Sequence, residues 1–204
     1  MTATRPGTPA QALDLLLEGN RRFVAGEPRH PNQDAEDRNS LAAEQHPFAV
    51  LFGCSDSRLA AEIIFDCGLG DLFVIRTAGH VVGPEVLGSI EYGVQILGVP
   101  LIAVLGHDSC GAVAAARTAA VDGTMPDGYI RDVVERVVPS VLSVPDGRTD
   151  PDAAGEAHVR YTCGLLAERS KIIAERVADG SCAVVGLSYR LAEGNARLLT
   201  GPVG

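Results

Sequence analysis

No lysine or arginine cluster larger than the pair Arg21-Arg22 occurs in this sequence, and its net charge is −9. A nucleic-acid partner needs a basic face, so none is expected. No stretch is apolar and long enough to cross a bilayer, so no membrane partner is expected either. The opening residues, Met1-Thr2-Ala3-Thr4-Arg5-Pro6, lack the apolar segment of a secretory leader, and the expected location is cytoplasmic. There is no low-complexity tract and no repeat of solenoid length; 23 glycines and 12 prolines punctuate the chain without dominating any part of it. Five cysteines, an odd number, argue against a disulfide framework. In a reducing compartment, cysteines with histidine nearby point instead to metal binding or catalysis.

What is present is enough apolar content, 46% of 204 residues, for one good core and a single domain over 1–204. Phe48 to Gly53 and Pro100 to Leu105 are apolar runs of the kind buried on both faces of a sheet. Leu72–Arg76 and Cys182–Tyr189 add two more strands. Between them, helices are predicted over 9–25 (with Gly26 as stop), 59–64, 84–97, 111–120, 129–142 and 156–178. Residues 27–40, polar and carrying Pro28 and Pro31, read as an ordered loop or an arm lying on another surface. Leu41–Gln45 suggests one helical turn, and 145–155 a loop. The turn signal Glu193-Gly194-Asn195 precedes a short antiparallel edge strand over Ala196–Leu199. The alternation predicts an α/β fold: a mostly parallel central sheet of four strands plus an antiparallel edge strand, flanked by helices.

Two short stretches carry the chemistry, Cys54-Ser55-Asp56-Ser57-Arg58 and Gly106-His107-Asp108-Ser109-Cys110-Gly111. Each follows an apolar strand, at the carboxyl end where open parallel sheets bind ligands. Cys54 and Asp56, two apart on extended backbone, face the same way. His107 and Cys110, three apart at a strand-to-helix junction, become neighbours. Two thiols, an imidazole and a carboxylate suit zinc. Four protein ligands would close the metal, whereas catalysis needs an open position. Arg58 is placed to fork onto the Asp56 carboxylate and leave zinc with Cys54, His107, Cys110 and water. Two thiolates cancel the zinc charge, so activity is expected to rise toward mildly alkaline pH. A plain Asp56–Arg58 salt bridge and a closed, non-catalytic or redox-sensing zinc site remain open.

These motifs, with Leu16-Leu17-Glu18-Gly19-Asn20-Arg21-Arg22-Phe23, Arg76-Thr77-Ala78-Gly79-His80 and Ile90-Glu91-Tyr92, resemble those of the β-class carbonic anhydrases, actinobacterial members above all. The resemblance implies Zn2+ on Cys54, His107 and Cys110, with an Asp56–Arg58 dyad and Asp56 as a fourth ligand only in a closed state. It implies reversible hydration of carbon dioxide to bicarbonate and a proton by a zinc-bound hydroxide. A relative acting on carbon disulfide or carbonyl sulfide would need the same nucleophile. Gln33 fits the substrate-polarising glutamine, Phe73 and Tyr92 the apolar pocket, and the Gly111 N–H the bicarbonate donor. The resemblance further implies a homo-oligomer, dimer or tetramer, with shared active sites, in which residues 1–45 form a helix and arm packed on a partner subunit. Some members close their zinc and bind inhibitory bicarbonate at a site that includes a tryptophan. This chain has no Trp and carries Leu51 there, although Arg76 and Tyr189 are present.

Cys67, Cys163 and Cys182, in apolar contexts, read as buried small hydrophobes. His30, His46 and His158 read as surface residues. His80 is expected to pack or bond to backbone, with proton shuttling at the site entrance as its alternative. Asp108 and Ser109 fit a helix cap, and the absence of lysine in 106–111 speaks against a phosphate loop.

Overall fold

A computed structural model describes residues 5–203; residues 1–4 and 204, part of the single unit expected over 1–204, lie outside the described residues. The helices are α1 (Pro9–Ala25), α2 (Ala35–Ser40), α3 (Ala61–Ile64), α4 (Pro84–Gln95), α5 (Gly111–Asp122), α6 (Ile130–Leu142), α7 (Pro151–Arg169) and α8 (Lys171–Ala178). The strands are β1 (Ala49–Cys54), β2 (Leu72–Thr77), β3 (Leu101–His107), β4 (Ala183–Tyr189) and β5 (Ala196–Val203). They form one sheet in the order β2-β1-β3-β4-β5, parallel from β2 to β4 and antiparallel at β5. The expected architecture is the observed one.

Side chains along β1 alternate between two apolar layers, as the period of a strand requires. Leu51 faces Leu16 of α1, Val113 and Ala116 of α5 and Val134 and Val137 of α6. Val50 and Phe52 face Ile90 of α4, Val159 and Leu166 of α7 and Ile173 of α8. Each fully buried Leu, Ile or Phe contributes about 1.5–3 kcal/mol relative to exposure. In the register of the central pair, Gly53 lies opposite Leu105. Cys54 and His107 therefore leave the sheet side by side at the same carboxyl edge.

Four boundaries differ from expectation. Residues 35–40 are helical because Asp34 accepts from the Glu36 and Asp37 N–H groups while Asp37 returns a bond to the Asp34 N–H, an all-aspartate capping box. Leu41–Gln45 forms no helix. The long C-terminal helix starts earlier, at Pro151 behind an Asp150 cap, and divides at Ser170. Ser170 has extended backbone, caps Ile173 N–H and donates to Glu91 at 2.6 Å. β5 continues to Val203, past the expected end at Leu199.

The arm ahead of α2 is tied down by Asp66. Its carboxylate accepts from the backbone N–H groups of Arg29 and His30 and from Arg22 Nε at 2.6 Å. Leu69 N–H then donates to the Asn32 carbonyl. Gln33 rides exposed on this arm.

Candidate metal centre

β1 ends in Cys54, β3 ends in His107, and Cys110 sits at the N-cap of α5. Ser109, at φ +53°, turns the chain sharply between the last two. The three side chains are buried, and their ligating atoms lie within 4.8 Å of one another. His107 Nδ1 is 2.7 Å from the Asp108 carbonyl oxygen, which can only accept, so Nδ1 carries the proton and Nε2 the lone pair. That Nε2 is buried without a hydrogen-bond partner. An orphaned nitrogen lone pair beside two thiols, with its ring held by a backbone carbonyl, fits a Cys2His metal set.

The electrostatics agree. A hydrogen bond from Cys110 draws the Cys54 thiol well below its ordinary pKa against the opposing effect of burial, with His107 and the Asp56 and Gly79 backbone assisting. The same bond and burial push Cys110 up. Burial lowers the His107 pKa, but the Cys54 sulfur, the Asp108 carbonyl and the Asp56 charge together outweigh it and raise the imidazole. The pocket thus concentrates negative charge on sulfur and draws positive charge to it.

Arg58 engages both oxygens of Asp56, Nε to Oδ1 at 2.9 Å and Nη2 to Oδ2 at 2.7 Å, and its backbone N–H adds a third bond to Oδ1. The Arg58 hydrogen bonds hold the Asp56 carboxyl well below the usual carboxylate range, against a smaller effect of burial. Asp56 is not part of the three-residue cluster. Arg76 braces the loop by donating to the Cys54 carbonyl at 2.9 Å and to the Asp56 carbonyl. Gly79 N–H donates to Cys54 Sγ at 3.3 Å.

Phe73 and Tyr92 stack with ring centroids 6.0 Å apart, Phe73 half-buried on β2 and Tyr92 exposed on α4. Gly111 is the first residue of α5, behind the N-cap Cys110. Leu51 lies in the core, while Tyr189 is buried beside His107 in the β3–β4 register. Cys67, Cys163 and Cys182 are buried as expected, and burial pushes each thiol up to about 12.

Two expectations change, those for His158 and for the α5 cap, and that for His80 narrows to packing. His158 is not a surface residue: it is 2% exposed, with Nε2 at 2.7 Å from the Gly79 carbonyl and Nδ1 at 2.9 Å from Ser140 Oγ. Its polar sequence neighbours conceal that this face of α7 lies against β3. Neither Asp108 nor Ser109 caps α5, whose N-cap is Cys110 with no side-chain cap bond; Asp108 Oδ1 instead accepts from Leu191 N–H, just past β4, at 2.9 Å. His80 is 2% exposed with neither ring nitrogen partnered, and its ring lies tilted against His158, centroids 4.3 Å apart. Packing is what it does, and burial holds its pKa well below the ordinary value, with His158 and His107 adding to the effect.

Comparison with known proteins bears on the same loops. The carbonic anhydrase family model matches residues 49–196. Carbonic anhydrase 2 of Mycobacterium tuberculosis is 60% identical over 191 residues, 93% of this chain and 92% of that protein. A Coccomyxa β-carbonic anhydrase solved in complex with acetazolamide has a TM-score of 0.72 at 25% identity, covering 94% of this chain and 87% of its own. Tetrameric β-carbonic anhydrases of the filamentous ascomycete Sordaria macrospora share the fold at a TM-score of 0.70 and 21% identity, over 94% of this chain and 98% of theirs. The matched segment carries Cys54, His107 and Cys110 alike, and the chain belongs to the β-class carbonic anhydrases.

Proposed function

We propose that this chain hydrates carbon dioxide reversibly to bicarbonate and a proton, with zinc held by Cys54, His107 and Cys110 in an open site. The observation that carries the open form is Arg58, whose fork occupies both Asp56 oxygens. Zinc held by these three residues would supply an acidified water as the nucleophile. Asp56, kept ionised by Arg58, accepts a hydrogen bond from the attacking water and orients its lone pair. The Gly111 N–H, at the positive end of α5, donates to a bicarbonate oxygen. Gln33 polarises carbon dioxide through its side-chain amide, and Phe73 with Tyr92 forms the apolar wall.

Gln33 and its arm serve a neighbouring subunit. Two features support association. β2 is an edge strand left half-exposed, and Ile63, Leu69, Tyr92 and Ile96 are exposed large apolar side chains. The Sordaria relatives are tetrameric, and we assign this chain to a dimer or tetramer with shared active sites. We place the enzyme in the cytoplasm; no described helix is long and apolar enough to cross a membrane.

The test is stopped-flow carbon dioxide hydration by protein of measured zinc content. Activity that vanishes on chelation and returns with zinc is the expected result. Full zinc occupancy with no hydration from neutral to mildly alkaline pH refutes the assignment. Replacing Gln33 with alanine should lower turnover with zinc retained; unchanged turnover removes Gln33 from the site.

A further inference from the structure

His158 takes no part in the chemistry above, yet its ring bridges α6 to the turn beside Cys54. α7 comes close enough for this because Gly106 on β3 has no side chain; a Cβ there would collide with Val159 Cγ2. The Gly79 carbonyl can only accept, so His158 Nε2 carries the proton. Burial keeps the imidazole neutral by lowering its pKa, against the opposing effect of the Gly79 bond, so Nδ1 is bare and faces Ser140 Oγ at 2.9 Å. The one proton of that hydroxyl is shared between the Val137 carbonyl, to which it donates at 2.6 Å, and this nitrogen. Every donor and acceptor on the ring is thereby assigned.

Gly79 is gripped at both ends. Its carbonyl accepts from His158 and its N–H donates to Cys54 Sγ. The residue is left-handed, at φ +61° and ψ +23°, and His80 after it is also at positive φ, +40°. A Cβ on Gly79 would sit 2.5 Å from Ala112 Cβ, so the turn admits no other residue without a shift. His80, with neither ring nitrogen partnered, packs against the His158 ring, centroids 4.3 Å apart and planes tilted by 37°.

We propose that His158 is a positioning residue for the metal ligand Cys54, holding the Gly79 carbonyl so that the Gly79 N–H is aimed at the sulfur. This rests on the assignment of Cys54 as a zinc ligand. A hydrogen bond to a ligating thiolate draws charge off sulfur, weakens its donation and leaves the metal a stronger acid. The chain Ser140–His158–Gly79–Cys54 thus reaches from a helix on one face of the sheet to the metal.

Full-length wild type, His158→Gln and His158→Phe separate the possibilities. Glutamine keeps an N–H donor near the place of Nε2, whereas phenylalanine keeps the ring without it. With cadmium-113 in the site, wild type and His158→Gln should show through-hydrogen-bond coupling from the metal to the Gly79 amide proton, and His158→Phe should lose it. In cobalt-loaded protein the sulfur-to-metal charge-transfer band should move to lower energy in His158→Phe only. Coupling and band unchanged in folded His158→Phe overturn the proposal. If that variant does not fold, the wild-type tautomer decides: nitrogen-15 shifts must show Nε2 protonated and Nδ1 bare, and the reverse tautomer or an imidazolium overturns it. A wild type that takes up no metal overturns the zinc assignment together with this one, whereas metal bound without any His158 effect overturns this one alone.

Discussion

Replacing Asp66 with alanine measures what holds the arm that carries Gln33. The Asp66 side chain is 1% exposed and accepts from Arg22 Nε at 2.6 Å, from Arg29 N–H at 2.9 and 3.0 Å, and from His30 N–H at 2.9 Å. Burial would raise its pKa, but the Arg29 N–H, the Arg22 guanidinium and the His30 N–H outweigh burial and lower it. Alanine leaves a guanidinium and two backbone donors without their acceptor. Removing one partner of a buried pair costs about 3–5 kcal/mol. Arg22 keeps Glu18 at 3.2 Å, which places the cost at the low end, about 3 kcal/mol. With a urea slope of about 2 kcal/mol/M, the unfolding midpoint falls by about 1.5 M. The comparison is made at one protein concentration, since association shifts apparent stability. A carboxylate with a depressed folded pKa stabilises fully above its unfolded pKa and loses that contribution as pH falls through the folded value. Asp66→Ala should therefore flatten the acid limb of the stability profile as well as lower the plateau. A midpoint within about 0.3 M of wild type, or an unaltered acid limb, would show that the arm is held by something else.

Three further outcomes follow from the site. Arg58→Ala should release Asp56 toward the metal and lower hydration at least about tenfold with zinc content unchanged; Arg58→Lys should recover only part, because an ammonium cannot reproduce the two-point fork, and full activity in Arg58→Ala removes the dyad's role. Alkylation followed by mass spectrometry should label Cys54 and Cys110 only after chelation and leave Cys67, Cys163 and Cys182 unlabelled, their thiols being buried and pushed up to about 12; early labelling of the last three contradicts their burial. Hydration should rise from neutral to mildly alkaline pH as the attacking water deprotonates, with no step from Asp56, whose carboxyl Arg58 keeps ionised far below that range; a flat profile refutes it.

Much of this was legible in the residues because the decisive signals are local. Uninterrupted apolar runs mark β1 and β3, and their adjacency in a parallel sheet puts both ligand loops at one edge without any long-range information. Asp56 and Arg58 are two apart, so their pairing is settled by the loop alone. Signals that depend on the other side of the molecule were hidden. The helix over 35–40 escapes notice because its box uses Asp37 where glutamate or glutamine is the familiar sign. The break at Ser170 depends on Glu91, 79 positions away, which takes the serine hydroxyl. His158 is the sharpest case. Its neighbours Glu156 and Arg160 are polar, yet Ala154, Ala157, Val159 and Leu166 are buried on the same helix. The helix is read as surface from the first set and as core from the second, and only the close approach at Gly106 decides between them. At Gly106 the glycine inside the strand marks a point where another element packs hard, since a Cβ there would collide with Val159. Followed across the sheet, it leads to α7 and to the histidine that grips the turn at Cys54. The packing that closes the core and the hydrogen bonds that aim the Gly79 N–H are thus one feature, since the missing Cβ that admits Val159 lets α7, which carries His158 one residue earlier, lie close to β3.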